Sequence, residues 1–238
     1  MGSAECQTDG VPARLLALIA AVVLVLAGCS GSDGDADTAE LQKRLSSARA
    51  AIDGAETVNV SLATTSLPDG VTGLLSASGQ GNHSPAFKGE VKVVTGGSTV
   101  SAEVVSAEGT LKAKTGFAPF FLEIDPKDLK APDPAALLDP EDGVTRILEQ
   151  TKDLKAGKKS RDGSDVLTSV TGTLPGSVVQ TIIPSADDSA DFAVTYRLTD
   201  DDELRDATLR GPFYPEGGDV TYTVKLTTSD EPVTIELP

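Results

Sequence analysis

Apolar and polar positions along the chain change period three times. A twelve-residue apolar run, Leu15 to Leu26, comes first. From Ala39 to Asp53, Leu41, Leu45, Ala48 and Ile52 recur at helical spacing and Gly54 follows where a stop belongs, which predicts an amphipathic helix. The period then falls to two. In VNVSLAT, Val58, Val60 and Leu62 share one side while Asn59 and Ser61 take the other. Alternation is clearest from Phe87 to Gly116. Phe87, Gly89, Val91 and Val93 alternate with lysines and Glu90, the pair Gly96-Gly97 supplies a hairpin turn, and Val100, Ala102 and Val104 resume the apolar face. A second turn at Glu108-Gly109 leads to Leu111 and Ala113. This predicts a three-stranded antiparallel meander with one apolar face.

A segment rich in Asp-Pro pairs interrupts the strands, and such pairs favour turns and helix starts. Within it Leu137 and Leu138 predict a short helix, and Val144, Ile147, Leu148 and Leu154 a longer one. Strand texture returns from Val166 to Leu174, followed by a short apolar helix around PGSVVQTIIP. The chain is then expected to finish in strands: Phe192 to Leu198, Leu204 to Leu209, Val220 to Leu226 and Val233 to Leu237. Ten or eleven strands, hairpin-length links and no alternation of strand with helix predict an α+β fold. Its expected form is a single large curved antiparallel sheet with helices gathered over one face.

The first apolar run is too short for the roughly 20 residues of a membrane-spanning helix. With Arg14 before it and small residues after, it reads as a signal peptide over residues 1–28. Leu26, Ala27, Gly28 and Cys29 form a lipobox: a branched aliphatic, two small residues that fit a peptidase groove, and a thiol that takes a diacylglyceryl group. Cleavage before Cys29 removes Cys6 and leaves one cysteine, which in an exported chain fits acylation better than a disulfide. The polar stretch through residue 38 reads as a tether, and residues 39–238 as one domain. A net charge of −16 excludes nucleic acid as a partner and speaks against a basic grip on anionic headgroups. Attachment to the cell membrane, on its extracytoplasmic side, is therefore expected through the lipid on Cys29, where two acyl chains suffice for a stable anchor.

Catalytic chemistry is poorly represented. His83 is the single histidine and lies in the polar stretch GQGNHSPAF, where it reads as a solvated loop residue. There is no Cys/His cluster for a metal, no phosphate-cradling loop and no nucleotide fingerprint, so neither an enzyme nor a cofactor is expected. The acidic run TDDDE, Thr199 to Glu203, reads as a hairpin tip.

At GEVKVVTGGSTVSAEVVSAEGTLKAKT and then DPAALLDPEDGVTRILEQTKDLKAGKKSRDGSDVLTSVTG, the chain resembles the LppX/LprA/LprF/LprG lipoproteins of mycobacteria and related actinobacteria. The likeness is closest to the LprG branch between Phe87 and Gly172. It rests on the order of lipobox, Gly-Gly turn and Asp-Pro-led helical segment. The stretch Gly116 to Lys130 departs from the pattern. The resemblance implies a U-shaped half-barrel similar to LolA and LolB, closed by helices, with a cavity for the acyl chains of glycolipids or triacylglycerol. It also implies work beside a major-facilitator lipid transporter, as a monomer, moving lipid toward the outer envelope.

Small residues on the apolar face, Gly89, Ala102, Ala113 and Gly172, leave room under a helical layer, or else let helices close down into a solid core. On the carrier reading, Val91, Val93, Val100, Val104, Leu111, Val144, Leu148, Val179 and Ile183 line or cap the apolar space. On the alternative, the protein is a scaffold or assembly partner of a lipid transporter and holds no ligand; an envelope hydrolase is a third and weaker possibility.

Overall fold

In the computed structural model, residues 33–126, 131–214 and 217–238 are described; the apolar run, the lipobox and Cys29 lie outside the described residues. The chain opens on helix α1 (Asp33–Asp53), which starts six residues before the point the pattern predicts and so takes in part of the expected tether. Six strands follow: β1 (Thr57–Thr64), β2 (Gly73–Asn82), β3 (Ala86–Thr95), β4 (Ser98–Ala107), β5 (Thr110–Thr115) and β6 (Leu122–Ile124). After 3-10 turns at Ala136–Leu138 and Val144–Arg146 come the single-turn helix α2 (Ile147–Gln150), β7 (Lys152–Asp162), β8 (Asp165–Pro175) and the single-turn α3 (Gly176–Val179). β9 (Asp191–Leu198), β10 (Leu204–Gly211) and β11 (Val220–Ser229) complete the elements.

All eleven strands join one open antiparallel sheet in the order β6-β5-β4-β3-β2-β1-β11-β10-β9-β8-β7. The α+β fold and the strand number thus agree with the sequence expectation. Two meanders, β1 to β6 and β7 to β11, are sewn together where β1 pairs with β11 over Thr57 to Thr64. The Gly96-Gly97 and Glu108-Gly109 turns have positive φ at both central residues (57° and 75°, 54° and 73°), the twist that a two-residue hairpin needs.

This strand order explains the cover. β6 and β7 are consecutive in sequence yet stand at opposite edges, so the connection between them, described from residue 131 to 151, crosses a face of the sheet. The crossing buries Leu138, Val144, Ile147 and Leu148 against it, and the β8–β9 connection adds Val179, Ile182 and Ile183. α1 lies across one end of the sheet. There Arg44 binds Asp202 at 2.5 Å and the carbonyl of Thr199 at 2.8 Å in the β9–β10 turn, while Ile52 reaches the β2–β3 turn. Its Leu41, Leu45, Ala48 and Ile52 are buried, as the helical spacing predicts.

Three expectations are corrected. The longer helix stops at Gln150, where the Thr151 hydroxyl donates to the Ile147 carbonyl at 2.6 Å; Leu154 then belongs to β7. β2 carries three glycines and serines that blur its alternation, and the sequence reading does not mark it as a strand. The last stretch, Val233 to Leu237, is not a strand. It runs across the same end of the sheet as α1, tied by Thr57 to the Glu231 carbonyl (2.6 Å), Asn82 to Val233 (3.1 Å) and Lys112 to Pro238 (2.6 Å).

Candidate functional site

The space between the cover and the sheet is the natural place for an apolar ligand. Val144, Ile147, Val179, Ile182 and Ile183 descend from the covering segments onto Leu62, Leu209, Phe213, Tyr222 and Val224 of the sheet side. They enclose a void of about 10 Å³, room for about one water molecule and no more. The interior is therefore closed here. Phe213 stands edge-on to both Phe192 and Tyr222, with ring centroids 4.9 and 4.8 Å apart, and fixes the sheet side of this seam.

The small residues expected to leave room instead seat their neighbours. Gly79 and Gly89 pair across β2 and β3, and the Phe87 ring lies over both; an added Cβ would come 2.5 Å and 2.8 Å from its Cζ. Gly172 receives the Thr151 methyl and the Leu154 side chain, so β7 and the end of α2 press directly onto β8. Glycine at these positions allows close approach rather than a hole.

The structure does not bring the nine sequence-named residues to one place. Val144, Val179 and Ile183 line the void, and Leu148 is buried in the same core. Val104 and Leu111 are buried beneath β4 and β5 in the other half of the sheet. Val91 is half-buried against the core, whereas Val93 and Val100 face each other near the Gly96-Gly97 turn and lie outside it. Sequence reasoning did not name Ile147, Ile182, Leu209, Phe213 or Val224 as lining. Their common signal is that they sit where the crossing segment and the β8–β9 connection meet the β10–β11 side of the sheet, which the chain order alone does not reveal.

Polar groups at the seam are satisfied internally. The backbone N–H of Leu74 donates to the Tyr214 hydroxyl (3.1 Å), Tyr214 and Tyr222 share a hydrogen bond (2.8 Å), and Tyr222 donates to the Leu74 carbonyl (2.5 Å). Tyr196 donates to the Ile147 carbonyl at 3.1 Å beside Thr151. Burial pushes the phenols of Tyr196 and Tyr222 well above the ordinary tyrosine range, so neither is a nucleophile or base near neutral pH. His83 is not the solvated loop residue expected. Its Nδ1 lies 2.7 Å from the Leu138 carbonyl and its Nε2 3.0 Å from the Ile52 carbonyl, so it staples the β2–β3 turn to α1 and the crossing segment. Among the described residues, no group of three or more His, Cys, Asp or Glu is placed to hold a metal ion, and no helix is long and apolar enough to cross a membrane.

The opposite face carries an open depression of about 570 Å³ between Asn59, Gln80, Lys88, Glu103, Val105 and Phe121. Its lining is mixed and its mouth wide. It has the character of a surface groove rather than of an acyl-chain pocket.

Comparison with solved structures places the sheet and its cover among known folds. Over 84% of this chain and 97% of the other, it superposes on LprF from Mycobacterium bovis with a TM-score of 0.65 at 19% identity. LppX from Mycobacterium tuberculosis matches over 83% and 99%, with a TM-score of 0.58 at 17% identity. No curated protein sequence matches. A model of the LppX_LprAFG lipoprotein family matches residues 38–235, covering most of α1 and the whole sheet, and the chain belongs to that family.

Proposed function

We propose that this lipoprotein binds the acyl chains of a membrane lipid between its sheet and the covering segments and carries that lipid toward the outer envelope. Membership in a lipoprotein family carries with it a membrane-anchored, envelope-facing protein; the anchor on this reading is the diacylglyceryl group on Cys29. The observation that supports the carrier reading best is the composition of the seam, whose lining is aliphatic and aromatic throughout. Glycolipids and triacylglycerol are the cargo the family resemblance suggests, with a major-facilitator transporter as the neighbour that supplies it to the monomer.

Ordinary ligand pockets run from roughly 300 to 1,000 Å³, so a void of about 10 Å³ requires the cover to lift before a chain can enter. The cover is suited to this. α2 and α3 are four residues each, far below the length at which a helix is stable by itself. Apolar side-chain insertion holds both down, and α2 is also tied by Tyr196 to the Ile147 carbonyl, by Gln42 to the Leu148 carbonyl and by the Arg49–Glu149 ion pair. Acyl methylenes, worth about 0.8 kcal/mol apiece on leaving water, can replace that insertion. A bilayer offers the same transfer energy, which keeps exchange near balance and allows both loading and release.

The closed interior favours a second reading, a scaffold that holds no ligand. Native mass spectrometry of the Cys29→Ala chain after incubation with envelope lipid extract separates the two. A carrier retains acyl lipid, and Ile183→Trp, which fills the seam, retains severalfold less than Val91→Trp, which does not reach it. A chain that emerges free of lipid is a scaffold.

A further inference from the structure

The chain's acidity is not evenly spread. β7, the long edge of the sheet, carries Lys152, Lys155, Lys158, Lys159 and Arg161 against only two aspartates, a quarter of the twenty Lys and Arg residues in the protein. Ten of its eleven residues are exposed; only Leu154 is buried. Every described arginine outside β7 is in an ion pair: Arg44, Arg49, Arg146, Arg197, Arg205 and Arg210. None of the five β7 cations has an acidic partner among the described residues. Register shifts between Lys152 and Lys155 and between Ala156 and Lys159 break the regular pairing of this edge with β8.

We propose that β7 is a docking edge for an anionic phospholipid bilayer surface, the one that holds the lipid on Cys29. Charge complementarity commits it to that partner, because unpaired lysines near an anionic leaflet are each drawn to it. Protecting an edge from pairing with other strands needs charge but not a particular sign. In a chain of net charge −16, acidic residues would repel other copies better. Position agrees. The β7–β8 turn and the β9–β10 turn lie at the same end of the sheet, and Arg205 of β10 pairs with Asp165 of β8 beside them. Arg44 fastens α1 to that β9–β10 turn. Cys29 stands eight residues before Asp37, so an anchor on it keeps that part of α1 within about 29 Å of extended chain from its bilayer. β7 then adds orientation to what the anchor supplies in attachment. The inference rests on the anchored reading of Cys29, and the test separates the two.

The full chain, purified from its membrane, is reconstituted on phosphatidylcholine vesicles and on vesicles of equimolar phosphatidylcholine and phosphatidylglycerol. An amine-reactive reagent is pulsed over both, and each lysine is read by peptide mass spectrometry against Lys92 and Lys225. Labelling of the β7 lysines is expected to fall about fivefold or more on the anionic vesicles, the weight of one engaged cation, and to return when salt shortens the screening length. In the chain carrying Lys155→Gln, Lys158→Gln and Lys159→Gln, Lys152 should lose this protection. Equal labelling on both vesicles, or protection that salt does not touch, overturns the proposal. Flotation on phosphatidylcholine alone reads the anchor. Flotation with β7 unprotected on either vesicle keeps the anchor and discards the edge, whereas salt-sensitive flotation only on anionic vesicles keeps the edge and discards the anchor. No flotation on either discards both. Unprotected β7 lysines, together with self-association of the glutamine variant, would reduce the strip to edge protection.

Discussion

The two meanders that make the sheet solve the same packing problem differently. In β9 to β11 nearly every second residue is buried, and all three tyrosines, with Phe192 and Phe213, fill the interior, Phe213 standing edge-on to Phe192 and Tyr222. In β2 to β6 the inner face is mostly glycine, alanine and valine, with Phe87 and Leu111 the large buried side chains, and much of β2 and β3 is half-buried on both faces. There Phe87 is the one large buried ring, and its tip sits against two glycines. The three large apolar side chains left exposed among the described residues, Phe117, Phe120 and Leu122, all follow β5 in this second half. One half is a filled core with a cover pressed on it. The other is thin and yields more easily, because fewer dispersion contacts hold each residue.

The sharpest way to break that comparison is to cut the same kind of group from each half. Phe192→Ala should lower unfolding free energy by about 3–5 kcal/mol, as large buried rings do, whereas Phe87→Ala in the thin half should cost less in the same urea titration. Equal losses would mean the halves are packed alike. A smaller effect is expected from adding bulk at the thin half. Gly89→Val meets the Ser78 carbonyl and displaces the Phe87 ring, for about 1–3 kcal/mol of destabilisation. If Gly89→Val is neutral, the ring does not need that seat.

The smallest effect concerns how the crossing segment is pinned over the thin half. The backbone N–H groups of Asp142 and Glu141 hold the Asp139 carboxyl below the ordinary aspartate range. A depressed folded-state pKa contributes stability that is complete above the unfolded value of 3.8 and is lost below it as the folded carboxyl protonates. The difference in urea midpoint between the parent and Asp139→Asn should therefore be present at neutral pH and fade as the pH falls below 3.8 through the lower folded-state value. A difference that persists in acid would assign the turn to something other than the carboxylate.

Much of the fold was legible because its strands alternate. The meander from Phe87 to Ala113 reads straight off the sequence, with its two turns in the positive-φ conformation that the glycines require. β2 was hidden because Gly79 and Gly81 leave no side chain to mark a face. β7 was hidden because both its faces are exposed, so its lysines broke the alternation and Leu154 looked like the end of a helix. The seam was only partly legible. Val144, Val179 and Ile183 could be guessed as apolar cover, but Phe213 and Leu209 meet them only because β6 and β7 stand at opposite edges. His83 looked solvated because neither carbonyl it binds is near it in sequence.

The sheet's two unpaired edges carry a mechanical consequence. A closed barrel resists any change of girth, since widening it must break a ladder, but eleven strands ending in β6 and β7 form a leaf spring. Such a spring can flatten or deepen by adding a little twist at each junction while every inter-strand hydrogen bond survives. The glycine-lined junction of β2 with β3 is its softest leaf. Elastic bending, rather than unfolding, is then the work required to admit a bulky guest.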